Sequence, residues 1–185
     1  MTRRAVVLGL FAVLAVAQLA ASVGMIARQE LVLRHGRVYK FRAAPVDPFD
    51  ALRGRFVALG FESNTVPKVE GFVVAHGDRV YALVEEDADG FARLTGLVRQ
   101  RPPDDAAIPV TVNYTYRAEV RLELPFDRYY LEEDIAPEAE AAYRQRAREG
   151  NRDAYVTVRV WKGHAVLEEL YVGGKPILEF LREGK

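Results

Sequence analysis

The sequence predicts a mainly β protein in which a single N-terminal transmembrane helix is followed by a β-barrel or sandwich with one peripheral α-helix. Three observations predict this fold class: an unbroken apolar run over Ala5–Ile26, strict alternation over Val110–Leu124, and short β-branched segments separated by glycine-containing turns. We expect residues 1–27 to form a transmembrane signal anchor, residues 28–37 a spacer, and residues 38–185 a β-rich domain of about eight to ten strands.

The apolar run is long enough to cross a bilayer. It is interrupted only by Gln18 and Ser22, and at 1.5 Å per residue Ala5–Ile26 spans about 33 Å, against about 30 Å for a hydrocarbon core. Arg3 and Arg4 precede it, as they would precede a signal peptide or a signal anchor. The segment is therefore interpreted as a membrane-spanning helix.

Cleavage and orientation are separate questions. Ala15-Val16-Ala17 fits a signal-peptidase site, but the apolar run continues well beyond it, which favours an uncleaved anchor. The segment ahead of the helix is very short, so we expect the N-terminus in the cytoplasm and the domain across the membrane. The charge rule taken literally gives the opposite orientation, because the basic residues after the helix outnumber those before it: Arg28, Arg34, Arg37 and Lys40.

Small residues recur at three- and four-residue spacings within the anchor, which is typical of a helix-packing face. They are Ala17, Ala20, Ala21 and Gly24, close to Gln18, whose amide can bond across helices. Ordinary alanine-rich membrane sequence has the same pattern, so both interpretations stay open. The first predicts that the anchor pairs with another membrane helix.

Composition excludes several classes of function. Lys plus Arg and Asp plus Glu number 26 each, so no net field favours nucleic acid. The absence of Cys excludes disulfides, thiolate catalysis and cysteine zinc sites. His35, His76 and His164 lack ligand spacing, so no metal and no cofactor are expected, and no catalytic residue is assigned.

The stretch Ala44–Phe61 predicts one turn of helix that leads into a strand. Asp47 occupies an N-cap position, Pro48 the first helical position, and Asp50 the place from which a carboxylate reaches back to the cap. Gly54 can adopt the positive φ that ends such a turn. The residues after it alternate as a strand that is apolar on both faces.

Two interpretations of this stretch stay open. Asp47, Asp50 and Arg53 either form a small carboxylate–guanidinium site or belong to a capped turn that sets how the strand enters the sheet. Capping rules account for each of these residue types without a ligand.

The same stretch resembles the signature of the GDYXXLXY family of membrane-anchored proteins, a PVDPxDxxRGDY-like run soon after an N-terminal membrane segment. Arg55 stands where the family has Asp, and Phe56 and Phe61 stand where it has two Tyr. The likeness continues through Phe126–Glu133 and Leu170–Ile177. It implies an extracytoplasmic domain, and since the family has no assigned activity it implies architecture and not a reaction. The matching residues are Pro45, Asp47, Pro48, Asp50, Arg53, Gly54 and Leu59.

The remaining segments predict strands, tight turns and one helix. Pro137–Glu149 has acids early, bases late and Gly150-Asn151 just beyond, as dipole and capping rules favour in a helix. Val110–Leu124 alternates so regularly that it predicts one long strand, bent or bulged near Arg117. Turns are predicted at Gly77-Asp78, Asp89-Gly90 and Gly173-Gly174. The other predicted elements are strands at Val38–Arg42, Phe72–Ala75, Val80–Glu85, Phe91–Val98, Tyr155–Trp161 and Ala165–Val172, a turn and short strand over Phe126–Asp134, and a last segment at Lys175–Phe180.

An acidic group is the best remaining candidate site. It comprises Glu132, Glu133, Asp134 and Glu140, beside Tyr129 and Tyr130. These carboxylates either bind a divalent cation or a basic partner, or they are a solvated edge followed by acids that favour the start of a helix.

The expected function is that of a membrane-anchored, non-catalytic, extracytoplasmic domain that binds a partner, with an integral membrane protein as the expected partner. The protein would then be single-pass, with its C-terminal domain on the periplasmic or cell-surface side. One alternative is a membrane-tethered hydrolase that uses carboxylates such as Asp47, Asp50 or Glu132 as acid and base. Another is a barrel that binds a small ligand.

Overall fold

The computed structural model describes residues 3–44, 56–103, 106–148 and 153–183. Its N-terminal helix, α1 (Arg3–His35), is long and apolar enough to cross a membrane, and the side chains of its apolar part are exposed. The helix runs on past residue 27, so most of the predicted spacer is helical. Residues 28–35 contain no glycine or proline, and Glu30 and Arg34 form an i,i+4 ion pair at 2.7 Å within them; both features favour helix.

The domain after α1 is built from short antiparallel strands and two helices. The helices are α2 (Ala136–Arg148) and α3 (Ile177–Glu183). The strands are β1 (Arg37–Ala44), β2 (Phe56–Ala58), β3 (Gly60–Phe61), β4 (Thr65–Pro67), β5 (Arg79–Glu86), β6 (Ala92–Val98), β7 (Ala107–Tyr116), β8 (Glu119–Glu123), β9 (Arg128–Tyr130), β10 (Ala154–Trp161), β11 (His164–Val172) and β12 (Lys175–Pro176).

These strands form two five-stranded sheets and one small pair. The first sheet has the order β12-β11-β10-β1-β3, the second has the order β4-β8-β7-β5-β6, and β2 pairs with β9. Strand β4 also lies against β6 at the other edge of the second sheet, which makes the assembly a nearly closed, barrel-like sheet. With a mainly β domain behind an apolar N-terminal helix, the predicted fold class is confirmed.

One hydrophobic core joins both sheets. Its centre is aromatic: the ring centroids of Phe41, Phe61 and Phe126 lie 5.1 to 6.1 Å from one another. Such pairs contribute packing energy beyond their buried area. Phe41 is fully buried in the middle of β1. This strand therefore links helix α1, which ends just before it, to the core and to the segment that follows Ala44.

Most predicted elements are confirmed, including the helix at 137–149, which the structure places at Ala136–Arg148. The strand predictions at 38–42, 80–85, 91–98, 155–161 and 165–172 are confirmed as well. The Gly173-Gly174 turn has φ values of 60° and 78°, the positive φ that Gly adopts without steric penalty.

The prediction of one long strand over residues 110–124 is wrong. The chain reverses at Arg117, which has φ 51°, and forms the hairpin β7–β8 with Tyr116 opposite Glu119. A two-residue turn shifts the inward parity by one residue, and an irregularity between Val112 and Tyr114 shifts it back. Val110 and Val112 on β7 and Val120 and Leu122 on β8 therefore face inward, whereas Tyr114 and Tyr116, which follow the irregularity, are exposed. Because Tyr counts as apolar in the alternation, the sequence pattern is indistinguishable from that of a single strand.

Two further predictions fail. Residues 72–75 form a loop and not a strand, because local partners take their N–H groups: Phe72 N–H donates to the Val69 carbonyl at 3.1 Å, and Ala75 N–H donates to the Asp78 carboxylate at 2.9 Å. Residues 177–183 form α3, a second helix in the domain that the sequence analysis did not predict.

Candidate functional site

The family-like motif lies between two strands of the domain. Leu59 is buried, and its N–H donates to the Asp127 carbonyl at 2.8 Å. Strand β1 ends at Ala44 before the motif, and β2 begins at Phe56 after it. The other motif residues, Pro45, Asp47, Pro48, Asp50, Arg53 and Gly54, lie outside the described residues.

Tyr143, from α2, ties together the two sides of this segment. Its hydroxyl donates to the Ala44 carbonyl at 2.8 Å and accepts the Gly60 N–H at 3.2 Å. The side chain is 1% exposed, and burial raises the pKa of Tyr143 to about 12, so the phenol stays protonated and able to donate. A buried hydroxyl with both a donor and an acceptor partner satisfies its hydrogen-bonding capacity.

A second connection holds the far side of the motif. Strand β2 pairs with β9, which places Val57 opposite Tyr129. The Tyr129 hydroxyl donates to Glu169 Oε1 at 2.5 Å, and the same carboxylate oxygen accepts the Leu170 N–H at 2.9 Å. Burial raises the pKa of Tyr129, and its hydrogen bond to Glu169 raises it further. We call Ala44, Gly60, Tyr143 and strands β2 and β9 the motif frame.

An open groove lies beside the motif frame, two residues before the end of β1. The Arg42 guanidinium pairs with Asp89 at 2.8 Å, and its Cζ lies 3.8 Å from the centroid of the Phe91 ring. Stacking on one side and an ion pair on another fix a planar cation in place. The groove has a volume of about 530 Å³, and we call it the Arg42 groove; its lining residues are Arg42, Glu62, Ser63, Thr65, Asp87, Asp89, Phe91, Ala92, Arg93 and Leu94.

Two polar side chains of the Arg42 groove, Asp87 and Ser63, are already bonded to the backbone. Asp87 accepts the N–H groups of Phe91 and Asp89, each at 2.9 Å, and the hydrogen bond from Phe91 is the main cause that lowers the pKa of Asp87. Ser63 Oγ accepts the Leu94 N–H at 2.8 Å. The described lining contains no His or Lys, so it does not pair the hydroxyl with a nitrogen base.

The acidic group predicted from sequence is only partly brought together. The Glu132 carbonyl accepts the N–H groups of Ile135 and Ala136, at 3.1 and 2.9 Å, so Glu132, Glu133 and Asp134 lie in the turn that starts α2. Glu140 lies in α2 and pairs with Arg144 at 2.5 Å. Within residues 3–44, 56–103, 106–148 and 153–183, no three His, Asp or Glu side chains are grouped to hold a metal ion.

Sequence reasoning missed a cavity beside this turn. A volume of about 230 Å³ lies between Glu132 and α3, and its walls are mostly apolar. The cavity depends on α3, which the sequence did not predict. The remaining lining residues are Leu131, Ile135, Glu138, Leu178, Leu181 and Arg182.

Sequence reasoning also missed the roles of Tyr143 and Arg42. The partners of the Tyr143 hydroxyl lie 99 and 83 residues away along the chain. Arg42 is followed closely by the motif, but only the fold reveals that it stacks on Phe91. Neither local pattern carries a signal for these long-range contacts.

The class of protein is a β domain carried on an N-terminal helix. It is defined by the exposed apolar helix, the barrel-like sheet and a signature segment flanked by two strands. Within this class, the chain belongs to the GDYXXLXY family. The family described as GDYXXLXY protein matches residues 18–170, from within α1 into β11. Neither curated proteins nor solved structures include a match for the chain.

Proposed function

We propose that the protein is a membrane-anchored, non-catalytic domain, exposed on the extracytoplasmic side, that binds an integral membrane protein through the motif frame and the Arg42 groove. The observation that carries the proposal is that the chain is fixed on both sides of the family-like segment. Hydrogen bonds from the buried Tyr143 fix one side of it, and the pairing of β2 with β9 fixes the other. These flanking contacts fix the motif frame itself, and a preorganised frame binds a partner at a low entropic penalty.

The chemistry of the Arg42 groove supports binding over catalysis. Its Ser63 and Asp87 are used by the backbone, and Arg42 is fixed by Asp89 and Phe91. A fixed guanidinium beside an aromatic ring is a common recognition element in protein interfaces. An acidic or amide-bearing surface on the partner would complement it.

The anchor supports an integral membrane partner. Helix α1 exposes its apolar length, including Gly24, at which an added Cβ would meet no described atom within 4 Å. A partner that resides in the same bilayer would meet the domain and the helix together, which raises the effective concentration of each contact.

The test is photocrosslinking in intact cells from a photoreactive residue at position 42, compared with one at position 117. Arg117 lies in the turn of the β7–β8 hairpin, so it is a matched arginine away from the groove. We expect position 42 to capture one dominant integral membrane protein and position 117 to capture none. Replacing Ala20 and Gly24 by Leu should reduce the capture if the helices pair.

Equal capture from both positions, or capture of soluble proteins only, would refute the proposed surface. Orientation is tested separately by a reporter fused behind Lys185. A reporter active in the cytosol would refute the extracytoplasmic placement. Any protein captured from position 42 would then be a partner on the cytoplasmic side of the membrane.

A further inference from the structure

The junction between α1 and the β domain is rigid. Val32 is fully buried, and the Gly36 N–H donates to the Val32 carbonyl at 2.8 Å. A Cβ at Gly36 would lie 2.5 Å from that carbonyl oxygen and 3.0 Å from Arg159 Cβ, so only glycine fits between the helix end and β10. Strand β1 begins at Arg37, the very next residue. We call Val32, His35, Gly36 and Trp161 the helix junction.

The topology places the β10–β11 turn at the end of the domain where the helix enters. Arg37, the first residue of β1, is opposite Val160, and β10 then turns back through Trp161 to His164. The His35 and Trp161 rings lie 5.7 Å apart. Val32 is the one buried residue among the described side chains of α1, so the rest of the helix leads away from the sheet instead of folding back over it.

Distance along the helix puts this turn near the bilayer surface. The apolar run ends at Ile26, and nine residues of helix carry the chain about 13 Å further to His35. The headgroup layer of one leaflet takes up about 5 to 7 Å of that distance. A helix tilt of about 20° and extended Lys and Arg side chains cover the remainder.

Basic and aromatic side chains gather at this end of the domain. Lys162 Nζ lies 4.3 Å from the centroid of the Trp161 ring, and Arg101 reaches the turn, since a Cβ at Gly163 would collide with its side chain. The arginines of the helix end and of β1 add to them. Among the described residues, six cationic side chains and three carboxylates lie at this end: Arg28, Arg34, Arg37, Arg101, Arg159 and Lys162 with Glu30, Glu86 and Glu168. Trp with Lys or Arg is typical of groups that lie at a membrane interface.

From this placement we propose that the β10–β11 turn, together with Arg101, is a lipid-contacting surface that binds the headgroups of anionic phospholipids. The inference rests on the proposed membrane anchoring and goes beyond it. A flexible linker would let the domain move away from the bilayer. The rigid helix junction instead keeps Trp161 and Lys162 close to the headgroups. Anionic lipid attracts each basic side chain near its surface about fivefold.

The single Trp of the chain makes the contact measurable, because all tryptophan fluorescence comes from Trp161. The full chain is reconstituted into vesicles of phosphatidylcholine, with or without phosphatidylglycerol, that contain a lipid carrying a spin label on its headgroup. We expect the label to quench Trp161, and to quench it more strongly in the anionic vesicles at low salt than at high salt.

Two matched variants test the role of charge. Lys162→Glu with Arg101→Glu should lower the affinity of the turn for anionic headgroups by at least about 30-fold, about fivefold for each cation removed, and should remove the dependence on phosphatidylglycerol. Arg117→Glu with Arg121→Glu makes the same charge change on the β7–β8 hairpin and should leave that dependence intact. If the first pair unfolds by circular dichroism, Lys162→Gln with Arg101→Gln replaces it, with the same sign expected.

Three results would overturn the proposal. Trp161 quenching that is equal in neutral and anionic vesicles, and unchanged in Lys162→Glu with Arg101→Glu, would mean that the turn lies near the bilayer without binding anionic headgroups. An unquenched Trp161 in chains that resist carbonate extraction means that the domain stands clear of the bilayer although the anchor is inserted. Chains extracted by carbonate refute the anchor itself, and this outcome separates a failure of the proposed function from a failure of the lipid surface alone.

Discussion

The two ends of β1 are fixed by different physics. At Arg37 the strand meets the helix junction, where a fully buried Val32 and the glycine at position 36 hold α1 by close packing. About 23 Å further on, at Ala44, the strand meets the motif frame, where the hydroxyl of Tyr143 holds the chain by hydrogen bonds.

The difference teaches how each end should respond to change. The close contact of Gly36 with the Val32 carbonyl involves no titratable side chain, so it should be insensitive to pH and should be disrupted by an added methyl group. A hydrogen-bonded phenol tolerates changes in volume nearby and fails when its proton or its oxygen is lost. Phe41, buried in the middle of β1, stabilises the strand to which both ends belong.

Removing the shared core residue should have the largest effect. Phe41→Ala deletes a fully buried ring that contacts Phe61 and Phe126, and it should lower the free energy of unfolding by about 3 to 5 kcal/mol. Urea denaturation of the full chain in detergent measures the change. Tyr116→Ala is the control, since Tyr116 is 61% exposed and its loss should change the free energy by less than about 0.5 kcal/mol. Equal losses would mean that the aromatic centre does not hold the two ends together.

High pH should distinguish the motif frame from the helix junction. The folded-state pKa of Tyr143 is raised to about 12 by burial, against about 10 in the unfolded chain. Its contribution is therefore fully present below about pH 10 and is lost as the pH rises through about 12, a loss of up to about 3 kcal/mol.

The control for this titration is Tyr143→Phe. At neutral pH the variant leaves the Ala44 carbonyl and the Gly60 N–H without their partner and should lose about 1 to 3 kcal/mol. Above about pH 10 its free energy of unfolding should fall less steeply than that of the natural chain. Parallel pH curves for the two chains would show that Tyr143 does not carry the alkaline sensitivity.

Close packing should be tested at the helix junction. Gly36→Val places side-chain atoms against the Val32 carbonyl and β10, and overpacking of this kind should lower the free energy of unfolding by about 1 to 3 kcal/mol at neutral and high pH alike. Gly24→Val is the matched control, because a Cβ there meets no described atom within 4 Å. A Gly36→Val chain as stable as the control would contradict the rigid junction and weaken the inferred lipid surface.

Local patterns predicted the parts of the fold that local physics decides. The apolar length of α1, the caps and charge gradient of α2, and the paired glycines before β12 each act within a few residues, so the sequence alone located them. The β7–β8 hairpin was missed because a turn and an irregularity cancel in parity, which leaves Tyr114 and Tyr116 exposed where alternation places them inside.

The parts that failed depend on partners far along the chain. Helix α3 has seven residues, too few to be stable alone, and it is held by burial of Ile177 and Leu181 and by an ion pair between Lys175 and Glu183. The motif was located from its residues, but its frame was not, because the bonds of Tyr143 and Tyr129 span tens of residues.

The smallest expected effect separates the two interpretations of the motif itself. Asp47→Asn keeps an oxygen that can cap a helix and removes the charge, so a capped turn should change stability by less than about 0.5 kcal/mol. Asp47→Ala removes the cap and should lose about 1 kcal/mol of stability.

A carboxylate that acts as an acid or a base predicts a different result. In that case Asp47→Asn would keep its stability but lose its function. The functional measurement is rescue of the defect that loss of the protein causes in cells, with Glu132→Gln as the matched removal of a charge at the second candidate acid. Full rescue by both variants, with folding intact, would exclude the hydrolase at these positions and leave the motif as a structural support for the binding surface.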